Sequence, residues 1–282
     1  MVREMSPEYS LEQTMGGPFW ARVILSQRYP ELLNDVQANQ IFKNLEDRHR
    51  ASPEDFALMQ KLVDEFIGLL FLFRARSFDD AIKKYIEVHP SATIVSIGCG
   101  LDTTFSRVDN GQILWYDLDL PDVIAIRREY IPETQRSKTI PKSVIDLNWF
   151  DSVDFSKERG VFFLMGGLLN YFKEEEAANL VRQMASRFSG GELIFDMPSS
   201  LGTRIWNRRL KKTDTTGVTF TFSIDNATKQ IAEWDPTIQV VDEFPIFSRL
   251  PHNPKWKRKT RFLMSLNHWF KVIKVIQLRF PE

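Results

Sequence analysis

The chain has 282 residues, of which 43% are hydrophobic and 26% charged, and its formal net charge is zero. These values are typical of one globular α/β domain with a helical extension. The lack of a basic excess argues against a general nucleic-acid binder. A single cysteine, Cys99, excludes an internal disulfide and favours a reducing, cytoplasmic setting for a soluble protein.

We expect neither a membrane partner nor a metal site. No apolar run approaches the ~20 residues that span a bilayer. Residues Met1–Gln13 contain acidic side chains and no apolar core, so they do not predict a signal peptide.

Residues 1–90 predict a helical extension that caps the rest of the chain. One helix opens at Pro53-Glu54-Asp55, with Ser52 as its cap, and apolar residues continue at helical spacing to Leu70. A second helix is expected over Phe78–Val88. It ends at His89, because a following proline disfavours the helical conformation.

Residues 91–282 predict a Rossmann-like α/β core. Five short runs are apolar with little alternation, as in a parallel sheet with both faces covered. Helical stretches such as Lys173–Phe188 supply the crossovers, and two later runs complete a mostly parallel seven-stranded sheet with helices on both faces. The expected strands are Thr93–Ile97, Ile113–Asp117, Ser143–Leu147, Val161–Met165, Glu192–Met197, Gln239–Phe244 and Val272–Phe280.

Two stretches lie outside this alternation. The segment around 201–235, with Trp206 and Trp234, is expected to cover the carboxyl edge of the sheet and the substrate. The basic run Lys255–Arg261 leads into a helix predicted over 257–266. It fits a solvated helix start better than a phosphate-binding patch.

A glycine-bracketed turn, Gly98-Cys99-Gly100, follows the first predicted strand. Glycines allow a positive φ and a close backbone approach to a ligand, and a helix amino end offers free N–H groups. A purely structural turn remains an alternative. A dinucleotide fingerprint requires a third glycine where Thr103 stands, and no P-loop sequence is present, so the pattern disfavours a pyrophosphate.

Acidic residues follow the next two predicted strands. Asp117 or Asp119 is placed to accept hydrogen bonds from ribose hydroxyls. Asp146 is placed to accept a hydrogen bond from the amino group of an adenine, and Leu147 is placed to contact the adenine ring. Each acid alone also fits a loop or a helix cap. Together with the glycine turn they favour a nucleoside ligand without phosphate, and S-adenosylmethionine is the common one.

These residues also resemble a known family. Residues Gly98–Thr104, then Asp117–Pro121, follow the pattern G-A-G-x-D-T/R and E/D-x-D-x-P of the leucine carboxyl methyltransferase family. Within it, the chain is similar to the polyketide O-methyltransferase branch of the tetracenomycin type. Further similar segments are Asn34-Asp35, Arg74–Asp80, Gly166–Phe172 and Gly190–Asp196.

The resemblance implies a class I methyltransferase fold, S-adenosylmethionine as cofactor, and roles for individual residues. Arg74, or failing that Arg76, would bind the cofactor's carboxylate, as a guanidinium does well. Asp119 would hold the ribose, with Asp117 as the competing choice. The remaining implied contacts are those of Gly98, Cys99, Gly100 and Asp102 in the turn, Asp146 and Leu147 at the adenine, and the backbone of Gly166.

The predicted activity is O-methylation of a small, aromatic or polyketide-like hydroxyl or carboxyl acceptor. Many relatives carry a glutamate at the position of Gly166, and its absence leaves the substrate class open. The alternatives are methylation of a protein's terminal carboxylate, and a nicotinamide-dependent oxidoreductase or a non-catalytic nucleotide binder. No histidine stands in a recognised catalytic spacing, and no catalytic base is assigned, although Tyr171 and Asp196 are placed to contact substrate.

Overall fold

A computed structural model describes residues 7–47, 64–213, 219–249 and 253–282. In this part of the chain, seven strands form one sheet. They are β1 (Thr93–Ile97), β2 (Leu114–Asp119), β3 (Ser137–Pro141), β4 (Val161–Met165), β5 (Glu192–Pro198), β6 (Gln239–Pro245) and β7 (Ile273–Arg279). Their spatial order is β3-β2-β1-β4-β5-β7-β6.

Strands β1 to β5 are parallel, and β7 joins β5 and β6 in antiparallel pairs. Every residue of β1 and of β4 is buried, because helices cover both faces of the sheet. The strand order reverses between β1 and β4, and ligands of open α/β sheets bind at such a switch point. The predicted Rossmann-like fold class is confirmed.

The helices sort onto the two faces of the sheet. Apolar side chains of α1, α3 and α9 pack on one face, and those of α6 and α8 pack on the other. The helices are α1 (Pro7–Arg28), α2 (Val36–Asp47), α3 (Glu65–Val88), α4 (Thr104–Val108), α5 (Pro121–Tyr130), α6 (Glu174–Arg187), α7 (Ser200–Thr213), α8 (Ala227–Trp234) and α9 (Arg258–Trp269). None of these has the length and apolar composition of a membrane span.

The expected break between two helices near residues 70–78 is wrong. Helix α3 runs without interruption through this region, because no glycine or proline interrupts its buried stripe between Leu69 and Phe78. Asp64 caps it by accepting the N–H of Ile67 at 2.8 Å. The predicted start at Pro53 lies outside the described residues, and the predicted end at Val88 agrees with the structure.

The strand expected over Ser143–Leu147 is also wrong. Asp146 accepts the N–H of Asn148 at 3.2 Å and caps a 3-10 turn, and Trp149 Nε1 donates to the carbonyl of Val144. These local bonds compete with strand pairing. The third strand is instead β3, an edge strand with exposed positions and no continuous apolar run.

Candidate active site

A cavity of about 620 Å³ lies at the carboxyl ends of β1, β2, β4 and β5. Its volume is within the range of small-molecule sites. The predicted site residues that line it are Arg74, Gly98, Cys99, Gly100, Asp102, Asp119 and Gly166. Asp117, Asp146 and Leu147 are not among the lining residues.

The turn after β1 brings the backbone to the edge of the cavity. Gly98 and Gly100 have φ angles of +68° and +45°, which favour glycine. A Cβ on Gly98 would lie 3.0 Å from Leu168 Cδ2, so a larger residue would crowd this wall of the cavity. The turn therefore needs glycine for its conformation and for its contact with Leu168.

Asp119 ends β2 and joins the turn. Its Oδ2 accepts the N–H of Gly100, and its Oδ1 accepts the N–H of Leu120, each at 2.8 Å. Burial raises the pKa of this carboxyl, and the two N–H groups oppose that shift. Each oxygen keeps a further lone pair, so the carboxylate can also accept from ribose hydroxyls.

Asp117 supports the turn from behind. Its carboxylate is buried and bonded to Arg127 Nη2 at 2.7 Å and to Trp115 Nε1 at 2.9 Å. Arg127 also donates to the carbonyls of Gly100 and Asp102. The structure therefore does not support Asp117 as the residue that holds the ribose. Its carboxylate instead holds the Arg127 side chain in position.

Asp146 is exposed, and Leu147 packs against the core beside it. Asp146 caps the 3-10 turn that replaces the expected strand. Neither is brought together with the cavity residues, and their contact with adenine stays a prediction.

Arg74 projects from α3 across Gly166 and Gly167. Its Nη1 lies 3.4 Å from Asp196 Oδ2, while Asp196 Oδ1 accepts the N–H of Gly167 at 2.6 Å. A Cβ on Gly167 would lie 2.6 Å from Arg74 Nη1. Within the described part of the chain, the guanidinium makes this one hydrogen bond, so its other N–H groups can receive an anionic ligand.

The fallback residue, Arg76, lies away from the cavity. Its Nε bonds both carboxylate oxygens of Asp80, at 2.9 and 3.0 Å, one turn further along α3. The two arginines are separated by one residue on a helix and therefore point in different directions. Of the two, the structure places Arg74 at the cavity.

A buried charge network that the sequence analysis missed ties α1 and α2 to the turn. Asp35 accepts from Thr103 Oγ1 at 2.8 and 2.7 Å and from Arg107 Nη1 at 3.0 Å, and Arg22 Nε lies 3.2 Å away. Thr103 stands where a dinucleotide-binding fingerprint has its third glycine, and here its hydroxyl donates to the buried Asp35.

Arg22 lines the cavity from α1 and donates to the carbonyl of Leu101 at 2.8 Å. Burial alone would raise the pKa of Asp102, but Arg22 and Arg107 hold it near the low value of about 2. The sequence signal for Arg22 is a lone charge in the apolar run 19–25, because such a charge needs a buried partner.

Three aromatic side chains form another part of the lining. Phe220 packs against Tyr171 with ring centroids 5.4 Å apart and against Trp206 at 6.1 Å. Asn207 of α7 fixes this arrangement, because its side-chain amide bonds both the N–H and the carbonyl of Phe220, at 2.8 and 2.9 Å. We call Tyr171, Trp206 and Phe220 the aromatic wall.

The structure places the two tryptophans of the segment around 201–235 differently. Trp206 lines the cavity. Trp234 instead packs on Phe222 in the core under α8, with ring centroids 6.2 Å apart. Asn207 and Phe220 had no distinguishing pattern in the sequence.

Comparison with known proteins identifies the class. The chain is an S-adenosylmethionine-dependent methyltransferase, as the glycine turn and strand-end acids predict. It belongs to the leucine carboxyl methyltransferase family, whose sequence model matches residues 17–185. This membership disfavours the alternative of a nicotinamide-dependent oxidoreductase.

Individual relatives are distant. The chain is 26% identical over 222 residues to the tetracenomycin polyketide synthesis O-methyltransferase TcmP of Streptomyces glaucescens, covering 77% of this chain and 76% of that protein. It is 24% identical to the S-adenosyl-L-methionine-dependent methyltransferase dpfgK of Gibberella zeae, covering 93% and 91%. A DUF574-family protein from Streptomyces avermitilis shares the fold, with a TM-score of 0.57, 11% identity and coverage of 77% and 86%.

The cavity residues fit S-adenosylmethionine. Arg74 offers a guanidinium with free N–H groups, the Gly98–Gly100 turn leaves backbone at the wall, and Asp119 offers a carboxylate. These are the partners that an amino-acid carboxylate, a methionine chain and a ribose require. The sequence-based prediction of this cofactor is confirmed.

Proposed function

We propose that this enzyme transfers the methyl group of S-adenosylmethionine to an oxygen atom of a small, flat, aromatic or polyketide-like acceptor. One observation carries the proposal: a single cavity is lined both by the polar groups around Arg74 and Asp119 and by the aromatic wall. The former suit a charged nucleoside, and the latter suits a planar ring. The tetracenomycin relative, by its name, supports the same acceptor class.

In the proposed complex, Arg74 pairs with the carboxylate of the cofactor and Asp119 accepts from its ribose hydroxyls. Gly98, Cys99, Gly100 and Asp102 present the turn to the methionine part. Gly166 contributes backbone contact. Asp146 and Leu147 are assigned to the adenine on the sequence pattern alone. The cofactor supplies an activated methyl group, and these residues fix its direction.

The acceptor is positioned rather than activated by a strong base. Among the described residues that line the cavity there is no histidine. A carboxylic acid is already ionised at neutral pH, and a phenol loses its proton far more easily than an alcohol does. Either acceptor therefore needs mainly to be aligned with the methyl group, while the aromatic wall excludes water. Asp196 and Tyr171 both line the cavity and are placed to contact the acceptor.

The second candidate is methylation of a protein's terminal carboxylate, which the description of the matching family favours. The two candidates differ in the molecule that is methylated. The first gives a methylated small molecule, either an alkali-stable aryl methyl ether or an alkali-labile methyl ester, and the second gives an alkali-labile methyl ester of a protein.

The test is incubation of the enzyme with methyl-labelled cofactor and an extract separated into small molecules and protein. Label in the small-molecule fraction is expected, alkali-stable if the acceptor is a hydroxyl and alkali-labile if it is a carboxyl. Alkali-labile label in protein would refute the proposed acceptor class and support the second candidate. The presence of a single cysteine supports the further proposal that the enzyme acts in the cytoplasm.

A further inference from the structure

The carboxyl-terminal part of the chain has a one-sided charge. Over residues 244–281 the sequence contains nine lysines and arginines and no aspartate or glutamate, although the whole chain has 37 residues of each sign. Helix α9 lies within this stretch, and Lys257, Arg258 and Lys259 at its start are exposed. The proposed methyl-transfer function makes no use of this concentration of positive charge.

The outward side of α9 is apolar as well as basic. Phe262, Leu266 and Trp269 have 63%, 37% and 83% of their surface exposed, and Phe270, just after the helix, has 60%. Residues spaced by four and three positions share one side of a helix, so Phe262, Leu266 and Trp269 form a stripe. We call this stripe, with Phe270 and the exposed Arg258, Lys259 and Lys271, the basic aromatic face.

The inward side of the same helix is satisfied by the protein. Thr260, Met264 and Asn267 are buried, and Met264 belongs to the core shared with α3. The exposed aromatic residues are therefore not needed to hold α9 on the domain. Contiguous exposed apolar side chains of this size generally mark a binding surface.

The charge distribution selects the partner. A second copy of this chain would bring the same acid-free basic face against itself, and like charges repel. A nucleic acid would satisfy the lysines and leave Phe262, Trp269 and Phe270 without a partner. An anionic lipid surface satisfies both, because lysines pair with headgroup phosphates while aromatic rings enter the boundary with the acyl chains.

We propose that the basic aromatic face binds the enzyme peripherally to an anionic lipid membrane. This proposal departs from the expectation from the sequence that the chain has no membrane partner. That expectation rested on the lack of a spanning segment, and a surface contact requires none. Helix α7 lies next to the segment that follows α9, since a Cβ on Gly202 would clash with the carbonyl oxygen of Val272. The same α7 contributes Trp206 and Leu210 to the cavity, so the membrane contact adjoins an element that shapes the acceptor site.

The test is sedimentation of the full-length protein with vesicles of phosphatidylcholine alone or mixed in equal parts with phosphatidylglycerol. We expect binding to the mixed vesicles at low salt and little binding to phosphatidylcholine. The double variant Phe262→Ser/Trp269→Ser should lose about tenfold or more in affinity, because two apolar anchors leave the interface. Each charge removed near the surface should cost about fivefold, so Arg258→Glu/Lys259→Glu should also bind weakly.

Matched controls alter the same residue types away from this face. Val88 is 74% exposed at the end of α3, and Lys138 is exposed on β3, so Val88→Ser and Lys138→Glu should bind vesicles like the wild type. Thermal unfolding verifies that each variant is folded. Binding of S-adenosylhomocysteine should be the same in all of them, because none of these residues lines the cavity.

Three results would overturn the proposal. Wild-type protein that does not sediment with the mixed vesicles at low salt would exclude the membrane contact. A DNA duplex that binds the protein as tightly as the vesicles do, with an affinity that Phe262→Ser/Trp269→Ser leaves unchanged, would show that the face recognises phosphate alone and not a lipid surface. A lipid-independent dimer that the same variant dissociates would assign the face to a second copy of the chain.

Discussion

Replacing Arg74 with alanine tests the cofactor site most directly. The guanidinium is 12% exposed, makes one hydrogen bond to Asp196 in the described structure, and crosses the Gly166–Gly167 backbone at the cavity wall. A hydrogen bond between charged groups in such a position contributes about 1.5–3 kcal/mol. Arg74→Ala should therefore raise the dissociation constant of S-adenosylhomocysteine by about ten- to hundredfold. Asp196 then lacks its cation and repels the ligand's carboxylate, which favours the upper part of that range.

The matched control is Arg76→Ala, two residues further along the same helix. Arg76 and Asp80 are 39% and 48% exposed and form an i, i+4 pair, which contributes at most about 0.5 kcal/mol to stability. Its ligand affinity should stay at the wild-type value. Titration calorimetry measures both constants, and thermal unfolding checks that the variants are folded. A folded Arg74→Ala protein with unchanged affinity would refute the assignment of the carboxylate site.

Three further predictions concern the walls of the same cavity. Gly167 has a φ of +65°, and a Cβ there would lie 2.6 Å from Arg74 Nη1. Gly167→Ala should therefore weaken S-adenosylhomocysteine binding and lower the free energy of unfolding by about 1–2 kcal/mol, whereas Gly166→Ala, at a position without a positive φ, should have smaller effects. Equal results for the two variants in calorimetry and urea unfolding would contradict this reasoning. The ionised Asp102 carboxylate, whose folded pKa of about 2 lies below its ordinary 3.8, stabilises the fold above the ordinary value by about 2 kcal/mol. In urea titrations, the excess stability of wild type over Asp102→Asn should decline as pH falls from about 4 to 2, and a constant difference would argue against the network. Burial raises the pKa of Asp119, so wild-type ligand affinity should begin to fall at a higher pH than an ordinary aspartate would give. Asp119→Asn should bind more weakly at neutral pH and lack this acid-side decline, and parallel pH profiles in calorimetry would rule out the ribose contact.

The sequence could predict the sheet because its central strands are unambiguous. Residues 93–97 and 161–165 are apolar throughout, and the structure buries both strands on two faces. The edge strand could not be found in this way. Its sequence, SKTIP, is half polar because one face meets solvent, while the more apolar stretch around Val144 folds into a turn capped by Asp146. Local side-chain bonds at an edge outweigh hydrophobic pattern there.

The site also contains residues that the sequence could predict and residues that it could not. Gly98, Gly100 and Asp119 lie next to one another in the structure because they end adjacent parallel strands, which sequence order and topology predict. Arg22, Asp35 and the aromatic wall depend on how separate elements pack, and no periodicity encodes that. Two bonds from Asn207 to the backbone of Phe220 help to hold that ring at the cavity.

The lack of a side chain at Gly166 determines the path of Arg74. A side chain there would begin 3.3 Å from Arg74 Nε and 3.4 Å from Phe78 Cε2, so Arg74 could not follow its present path without adjustment. With glycine, Arg74 crosses the strand end and pairs with Asp196 on the neighbouring strand. Asp196 also accepts the N–H of Gly167, so acid, arginine and glycine pair hold one another in place. Because Asp196 holds Arg74 and also lines the cavity, its substitution should affect cofactor and acceptor binding together.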